Sequence, residues 1–199
     1  MATSYIPKIE WLRETQTGDT STGTDTILNI PSTDTLQVGM VIEGAGIPTG
    51  TTILSKTINS VTMSADATAT ATTVSIDYVF ILEFDFPNRK DPFGQEIRHQ
   101  GRATVSKSGK VQVLTDYIQE NFSLTVSFLS QSKKEELENF LITHAVLGKS
   151  FSYFTDKGDS ATEETYALDP RALLAQFKVL TKKGAGFLWE TKLKLRRVL

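Results

Sequence analysis

The sequence contains no cysteine, so it holds no disulfide framework, thiolate nucleophile or thiolate metal site. It has two histidines, His99 and His144, too few for a histidine-based zinc centre, which needs three or four nitrogen or sulfur ligands. Tryptophan occurs twice and proline six times in 199 residues. No apolar run approaches the roughly 20 residues that a membrane helix needs. The N-terminus shows no basic segment leading into an apolar one, so no secretory signal is expected. The expectation is a chain made in a cytoplasm that stays soluble, or leaves by a route other than secretion. The net charge of −2 gives no general pull toward nucleic acid or membrane.

Basic residues are also missing locally. Between Thr15 and Asp77 the only one is Lys56, set against Asp19, Asp25, Asp34, Glu43, Asp66 and Asp77. Threonine supplies about a quarter of this stretch, and its β-branch suits a pleated, half-wet surface. Short alternating pieces at 26–30, 39–44, 51–58, 60–64 and 71–78 read as strands, with a turn at Asn59. Gly, Pro, Asn and Asp punctuate them. The stretch 15–78 is expected to be a small antiparallel sandwich or barrel inserted into a second domain, formed by 1–14 and 79–199.

That second domain reads as α+β and mainly β. Val79 to Phe86 is a strand with Phe80, Leu82, Phe84 and Phe86 on one face, ended by Pro87. Residues 87–110 carry Arg89, Lys90, Arg98, Arg102, Lys107 and Lys110 around three glycines, and read as a long charged loop or a projecting hairpin. Strands follow at 111–114 and 122–129, the latter with Leu124, Val126 and Phe128 on a shared face. Ser132 with Glu135 reads as a capping box. It opens a helix whose stripe is Leu137, Phe140, Leu141, His144 and Ala145, stopped by Gly148. A strand at 151–155, a turn at 156–160, an acidic loop at Glu163 and Glu164, and a terminal hairpin of 173–181 with 187–195 complete the reading. Phe187 and Trp189 fall on one face of the last strand and Leu188 on the other. Both faces being apolar points to an oligomer.

Motifs for chemistry fail on context. Gly148-Lys149-Ser150 lacks the earlier glycine of a P-loop, and a helix precedes it where a strand is required. Gly44 to Gly50 is glycine-rich but no helix follows it. Glu83 and Asp85 alternate on the polar side of a strand, which a solvated or subunit-facing surface explains better than acid–base work. Asp156, Asp159, Glu163 and Glu164 lack the spacing of a calcium loop. Arg196 and Arg197 have no interleaved aromatics for base stacking. No nucleophile is paired with a base. The chain is therefore expected to be no enzyme, with no catalytic, cofactor-binding or metal residues and no cofactor.

Four segments carry a resemblance: Phe122-Ser-Leu-Thr-Val-Ser-Phe128, Ser132-Lys-Lys-Glu-Glu-Leu-Glu-Asn-Phe-Leu141, Lys149-Ser-Phe-Ser-Tyr-Phe154 and Gly184-Ala-Gly-Phe-Leu-Trp189. In this order they are similar to the tail-tip proteins of long-tailed bacteriophages, the distal tail and minor tail protein group, whose core resembles the tail-tube fold. Gln37-Val-Gly-Met-Val-Ile-Glu-Gly-Ala-Gly-Ile-Pro-Thr-Gly-Thr-Thr-Ile53 resembles a β module that recurs in phage virion proteins. The threonine-rich module departs from the usual arrangement by lying near the N-terminus rather than at the C-terminus. The resemblance implies a structural virion protein in the tail or baseplate, forming a ring, usually hexameric, at the distal end of the tail. Such a ring joins the tube to hub or fibre and passes DNA through its channel without specific binding. Tail-tube and tail-terminator subunits share the fold and stay open as alternatives. The module would decorate the virion, touch a fibre or adhere weakly to a host-surface glycan. A carbohydrate-binding adhesion module is the reading from another class, and the lack of aromatics in the threonine-rich stretch before Tyr78 counts against it. Subunit contacts are expected from Arg89, Lys90, Phe93, Arg98, Arg102, Lys107, Lys110, Phe187 and Trp189.

Overall fold

The computed structural model describes residues 6–84, 94–105, 111–169, 176–183 and 186–198. The chain divides into two compact units, Glu10–Ile81 and Met1–Ile9 with Leu82–Leu199. Both are built mainly from β-strands, with one α-helix among the described residues.

The unit Glu10–Ile81 is made by β1 (Lys8–Thr20), β2 (Thr26–Ile27), β3 (Val41–Gly44), β4 (Ile53–Lys56), β5 (Val61–Met63) and β6 (Ala71–Glu83). One sheet runs in the order β3-β6-β1 and a second in the order β2-β5-β4. Alternation sends Ile27, Val61 and Met63 from the small sheet into the same core as Ile42, Ile76 and Tyr78. Full burial of each such side chain contributes roughly 1.5–3 kcal/mol. Threonine does structural work at the rims. The Thr20 hydroxyl donates to the Ala69 carbonyl, and the Thr70 hydroxyl accepts from the Thr22 amide. Thr57 and Ser60 close the expected turn around Asn59 through a backbone bond of 2.9 Å.

Two features differ from the sequence reading. β1 begins at Lys8, well before the threonine-rich stretch, so Glu10, Trp11 and Arg13 belong to the small unit. β6 is one strand from Ala71 to Glu83, where two were expected to meet at 78 and 79. Tyr78 and Val79 are both fully buried, and no turn residue separates them.

The unit of 1–9 and 82–199 adds β7 (Gly94–Val105), β8 (Val111–Leu129), α1 (Gln131–Thr143), β9 (Phe151–Phe154), β10 (Glu163–Leu168), β11 (Lys178–Lys183) and β12 (Gly186–Arg197). The order is β9-β10-β12-β8-β7, with β11 also paired to β12. β12 is the central strand. Residues 186–190 pair β11, residues 195–197 pair β10, and β8 runs antiparallel along the strand.

The cap of α1 lies two residues before the expected one. Ser130, extended at φ −66 and ψ 164, accepts from the Lys133 amide, and Ser132 instead donates to Glu136. No capping box forms, because the residue three after the cap is Lys133 rather than Glu135. The apolar stripe does face inward: Leu137, Phe140 and Leu141 are buried, as are His144 and Ala145 beyond the helix end. The helix gives way at Thr143 to the 3-10 turn Ala145–Leu147, and Gly148 closes that turn at φ 75. Residues 111–114 and 122–129, expected as separate strands, are one 19-residue strand. The expected acidic loop at Glu163 and Glu164 opens β10 instead; Glu163 pairs across to Phe154 and Glu164 to Tyr153.

His144 is 3% exposed and stacks on Phe140 with ring centroids 6.0 Å apart. Its Nε2 lies 2.7 Å from the Ser150 carbonyl, which only accepts, so Nε2 carries the proton in the neutral ring. Nδ1 is buried without a partner among the described residues. Burial pushes the pKa below its ordinary value of 6.5, opposed by the Ser150 hydrogen bond and helped by the Lys149 charge. The unfolded chain therefore binds the proton more readily than the folded one. This contribution to stability is complete above the ordinary pKa and is lost as pH falls below it. Urea midpoints at pH 7.5 and 5.5 are expected to fall more for the native chain than for His144→Gln. An equal fall would show that His144 does not set the dependence.

Candidate functional site

The row Thr191, Leu193 and Leu195 of β12 is buried, and its alternate neighbours Lys192 and Lys194 are exposed. The same inward row continues back through Trp189 to Phe187. α1 packs against β12, and its first turn holds Trp189. The Gln131 Oε1 accepts from the indole Nε1 at 3.0 Å. The Lys134 ammonium sits 4.9 Å from the Trp189 ring centroid and 5.2 Å from that of Phe177, anchored to Glu138.

Beyond that first turn the row becomes solvent-exposed. Phe187 is 46% exposed and leans on Trp189 at 6.3 Å. Val179, register partner of Trp189 and so on the same face, is 50% exposed. A bulge between Val179 and Thr181 leaves Leu180 exposed as well.

A second bulge lies on the other side of β12. Trp189 pairs Leu129 and Thr191 pairs Val126, so Ser127 and Phe128 together oppose Glu190. Ser127 donates to the Glu190 carboxylate at 2.6 Å. Phe128 takes φ 62, a left-handed conformation that a bulky side chain enters only at a cost. Its ring is 59% exposed. This corrects the expectation that Leu124, Val126 and Phe128 share one face. Alternation holds for the first two, which are buried; the extra residue of the bulge turns the third outward. Sequence period alone carries no signal of a bulge that lacks glycine.

Of the expected contact residues, Phe187 and Trp189 lie together at this overhang. Arg89, Lys90, Phe93, Lys107 and Lys110 are outside the described residues. Arg98 and Arg102 fall on β7, described here by its backbone alone; β7 pairs β8 from Gly94↔Ser123 to Val105↔Val111. That pairing resolves residues 94–105 as a hairpin strand rather than a loop. Phe128, Val179 and Lys134 are contributors that the sequence reading did not single out.

Several other charged groups are occupied. Arg13 bonds Glu10 and Asp77 at 2.8 Å each and lies 3.6 Å from Glu43. Glu83 pairs Lys157 at 2.7 Å; Asp85 is outside the described residues. Asp156 and Asp159 accept from the amides of Gly158 and Ala161, as turn residues do. Glu164 accepts from the Tyr166 hydroxyl and lies 3.2 Å from Arg197. Burial, and then that carboxylate, push the Tyr166 pKa well up. Among the described residues no group of three or more His, Cys, Asp or Glu is placed to hold a metal. No helix there is long and apolar enough to cross a membrane. The arrangement can bury aromatic surface against a partner. No family model, curated protein or solved structure matches the chain.

Proposed function

We propose that the protein is a structural subunit of a bacteriophage tail, assembling into a ring at its distal end that joins tube to hub or fibre and leaves a channel for DNA. The observation that carries this reading is the solvent-exposed continuation of the inward row of β12, Phe187 with Val179. Exposed aromatics held on paired strands are the kind of anchor that interfaces bury at their centre. The sequence segments similar to tail-tip proteins include one of the strands that build this surface, β12. The reading assigns the chain no catalytic step.

Negative-stain imaging with solution mass, on the purified full-length protein, tests this. Closed rings with a central hole, whose symmetry gives the stoichiometry, are the expected result. Discrete globular particles, unchanged after mixing with the tube and hub proteins of the same virion, would remove the ring assignment.

A further inference from the structure

The face of β12 opposite the Phe187 row has a different character. Alternation places Lys192, Lys194 and Arg196 on it, and the register sets Thr125, Ser123 and Asn121 of β8 beside them. Lys192 and Lys194 are exposed, and Arg196, Thr125 and Ser123 are partly so. Other cations of this unit sit with carboxylates, as Lys133 does with Glu136, Lys134 with Glu138 and Arg197 with Glu164. Among the described residues, Lys192, Lys194 and Arg196 have no such partner. Two carboxylates border the row. Glu190 accepts from Ser127 at 2.6 Å, and Asp169, bonded through its amide to the Lys194 carbonyl, is buried. Three like charges at alternate positions, roughly 6.8 Å apart along one strand, repel one another and favour a polyanion laid along them.

The bulge adds an aromatic ring to this row. Ser127 and Phe128 together oppose Glu190, two positions before Lys192, and Phe128 is 59% exposed. Its backbone is held at φ 62, out of the extended conformation that would turn the ring into the core. A bulky residue kept both strained and exposed is the kind of outlier that marks a contact. From Glu190 to Arg196 the strip runs about 20 Å, a ring at one end followed by three cations with hydroxyls alongside.

We propose that this strip binds single-stranded nucleic acid without sequence preference, Phe128 stacking on an unpaired base and Lys192, Lys194 and Arg196 meeting successive phosphates. Ser123 and Thr125 offer hydroxyl donors to the same backbone. A cationic track joined to an aromatic platform is the general solution for a single strand, whereas a duplex keeps its bases stacked away from such a ring. An acidic peptide would satisfy the cations and leave Phe128 unused. The inference goes beyond the ring reading and does not depend on it, since it concerns the other face of β12.

The test is fluorescence anisotropy of a labelled oligothymidylate, about 12 nucleotides long, titrated with the full-length protein over a range of salt. For the native chain log K is expected to fall against log salt with a slope of about −2, the value for three neutralised phosphates of a single strand. Lys192→Ser with Lys194→Ser should bring the slope to about −0.7, the value for one. Phe128→Gly should weaken binding at least about fivefold at every salt concentration and leave the slope unchanged. Glycine suits the left-handed backbone at 128, and both lysines are exposed; circular dichroism with thermal midpoints checks that each variant folds. Phe128→Asn supplies the same loss of ring if the glycine variant does not fold. Lys149→Ser removes an exposed cation from the loop before β9 and should bind as the native chain does. No anisotropy change at the highest soluble concentration in low salt would overturn the proposal. So would a Lys149→Ser loss equal to that of the lysine pair. A duplex of the same length bound as tightly, with Phe128→Gly without effect, would remove the single-strand assignment. Competition by polyglutamate at equal affinity would give the face to an acidic protein surface instead.

Discussion

Replacing Phe140 by alanine is expected to cost about 3–5 kcal/mol of folding stability, the largest effect of any single truncation on the helix. Phe140 is fully buried at the centre of the α1 stripe, between Leu137 and Leu141. Its ring meets Phe151 of β9 edge-on, with centroids 5.0 Å apart and planes at 86°. On its other side it stacks on His144. Truncation removes the transfer free energy of the ring and leaves a cavity between a helix and a sheet that are each held by other contacts. The site therefore has little freedom to collapse. The matched control is Ile142→Ala on the same helix. Ile142 is 70% exposed, and its loss should stay within about 0.5 kcal/mol. Urea unfolding followed by Trp189 emission in a Trp11→Phe background reads both variants. A Phe140→Ala loss below about 1 kcal/mol would mean that α1 does not hold the sheet.

The helix shows what a sequence discloses. Leu137, Phe140, Leu141 and His144 repeat at 3,4 spacing because one side of a helix meets a sheet, and that repeat survives any shift in the helix start. The cap does not, since Ser130 and Ser132 offer the same hydroxyl. Only the path of the chain leaving Leu129 decides that Ser130 takes the extended conformation of a cap. Glu163 and Glu164 hid β10 for a related reason. A strand whose outward residues bond Ser152 and Arg197 needs no apolar alternation at its start, so its charges read as a loop. β1 was hidden by its composition. Arg13 and Thr15 on a strand are held by a neighbouring strand's Asp77, pairings of residues 64 and 62 positions apart.

The interaction surface was half legible. Phe187 and Trp189 stand out because an apolar pair alternates beside a tight turn near the chain's end. Phe128 stayed hidden because a period-two pattern places it inward, and only the two-against-one opposition of Ser127 and Phe128 to Glu190 turns it out. The shortage of basic residues between Thr15 and Asp77 was legible in full, since charge is counted without coordinates.

Gly46→Ala is expected to destabilise the unit Glu10–Ile81 by about 2–5 kcal/mol, while Gly50→Ala, four residues on in the same loop, loses only about 1 kcal/mol. Both glycines lie in the left-handed region, at φ 77 and φ 81. Each substitution therefore incurs the conformational cost of an L residue there. Only Gly46 also lacks room. A Cβ built on it would stand 2.7 Å from the Ala69 Cβ and 3.3 Å from the Ala69 amide nitrogen, with no flexible side chain to yield. That backbone is pinned, since Thr68 donates both its amide and its hydroxyl to the Gly46 carbonyl, at 2.8 and 3.1 Å. A Cβ on Gly50 meets nothing within 4 Å. The pair thus separates conformational strain from steric overlap within one loop. It also tests the reading of Gly44 to Gly50 as a turn that clamps the opposite loop, rather than a cradle for phosphate. Urea unfolding followed by Trp11 emission in a Trp189→Phe background measures both. Equal losses for the two variants would show that the close approach to Ala69 relaxes at no cost. A loss confined to Gly50→Ala would overturn the account of this loop.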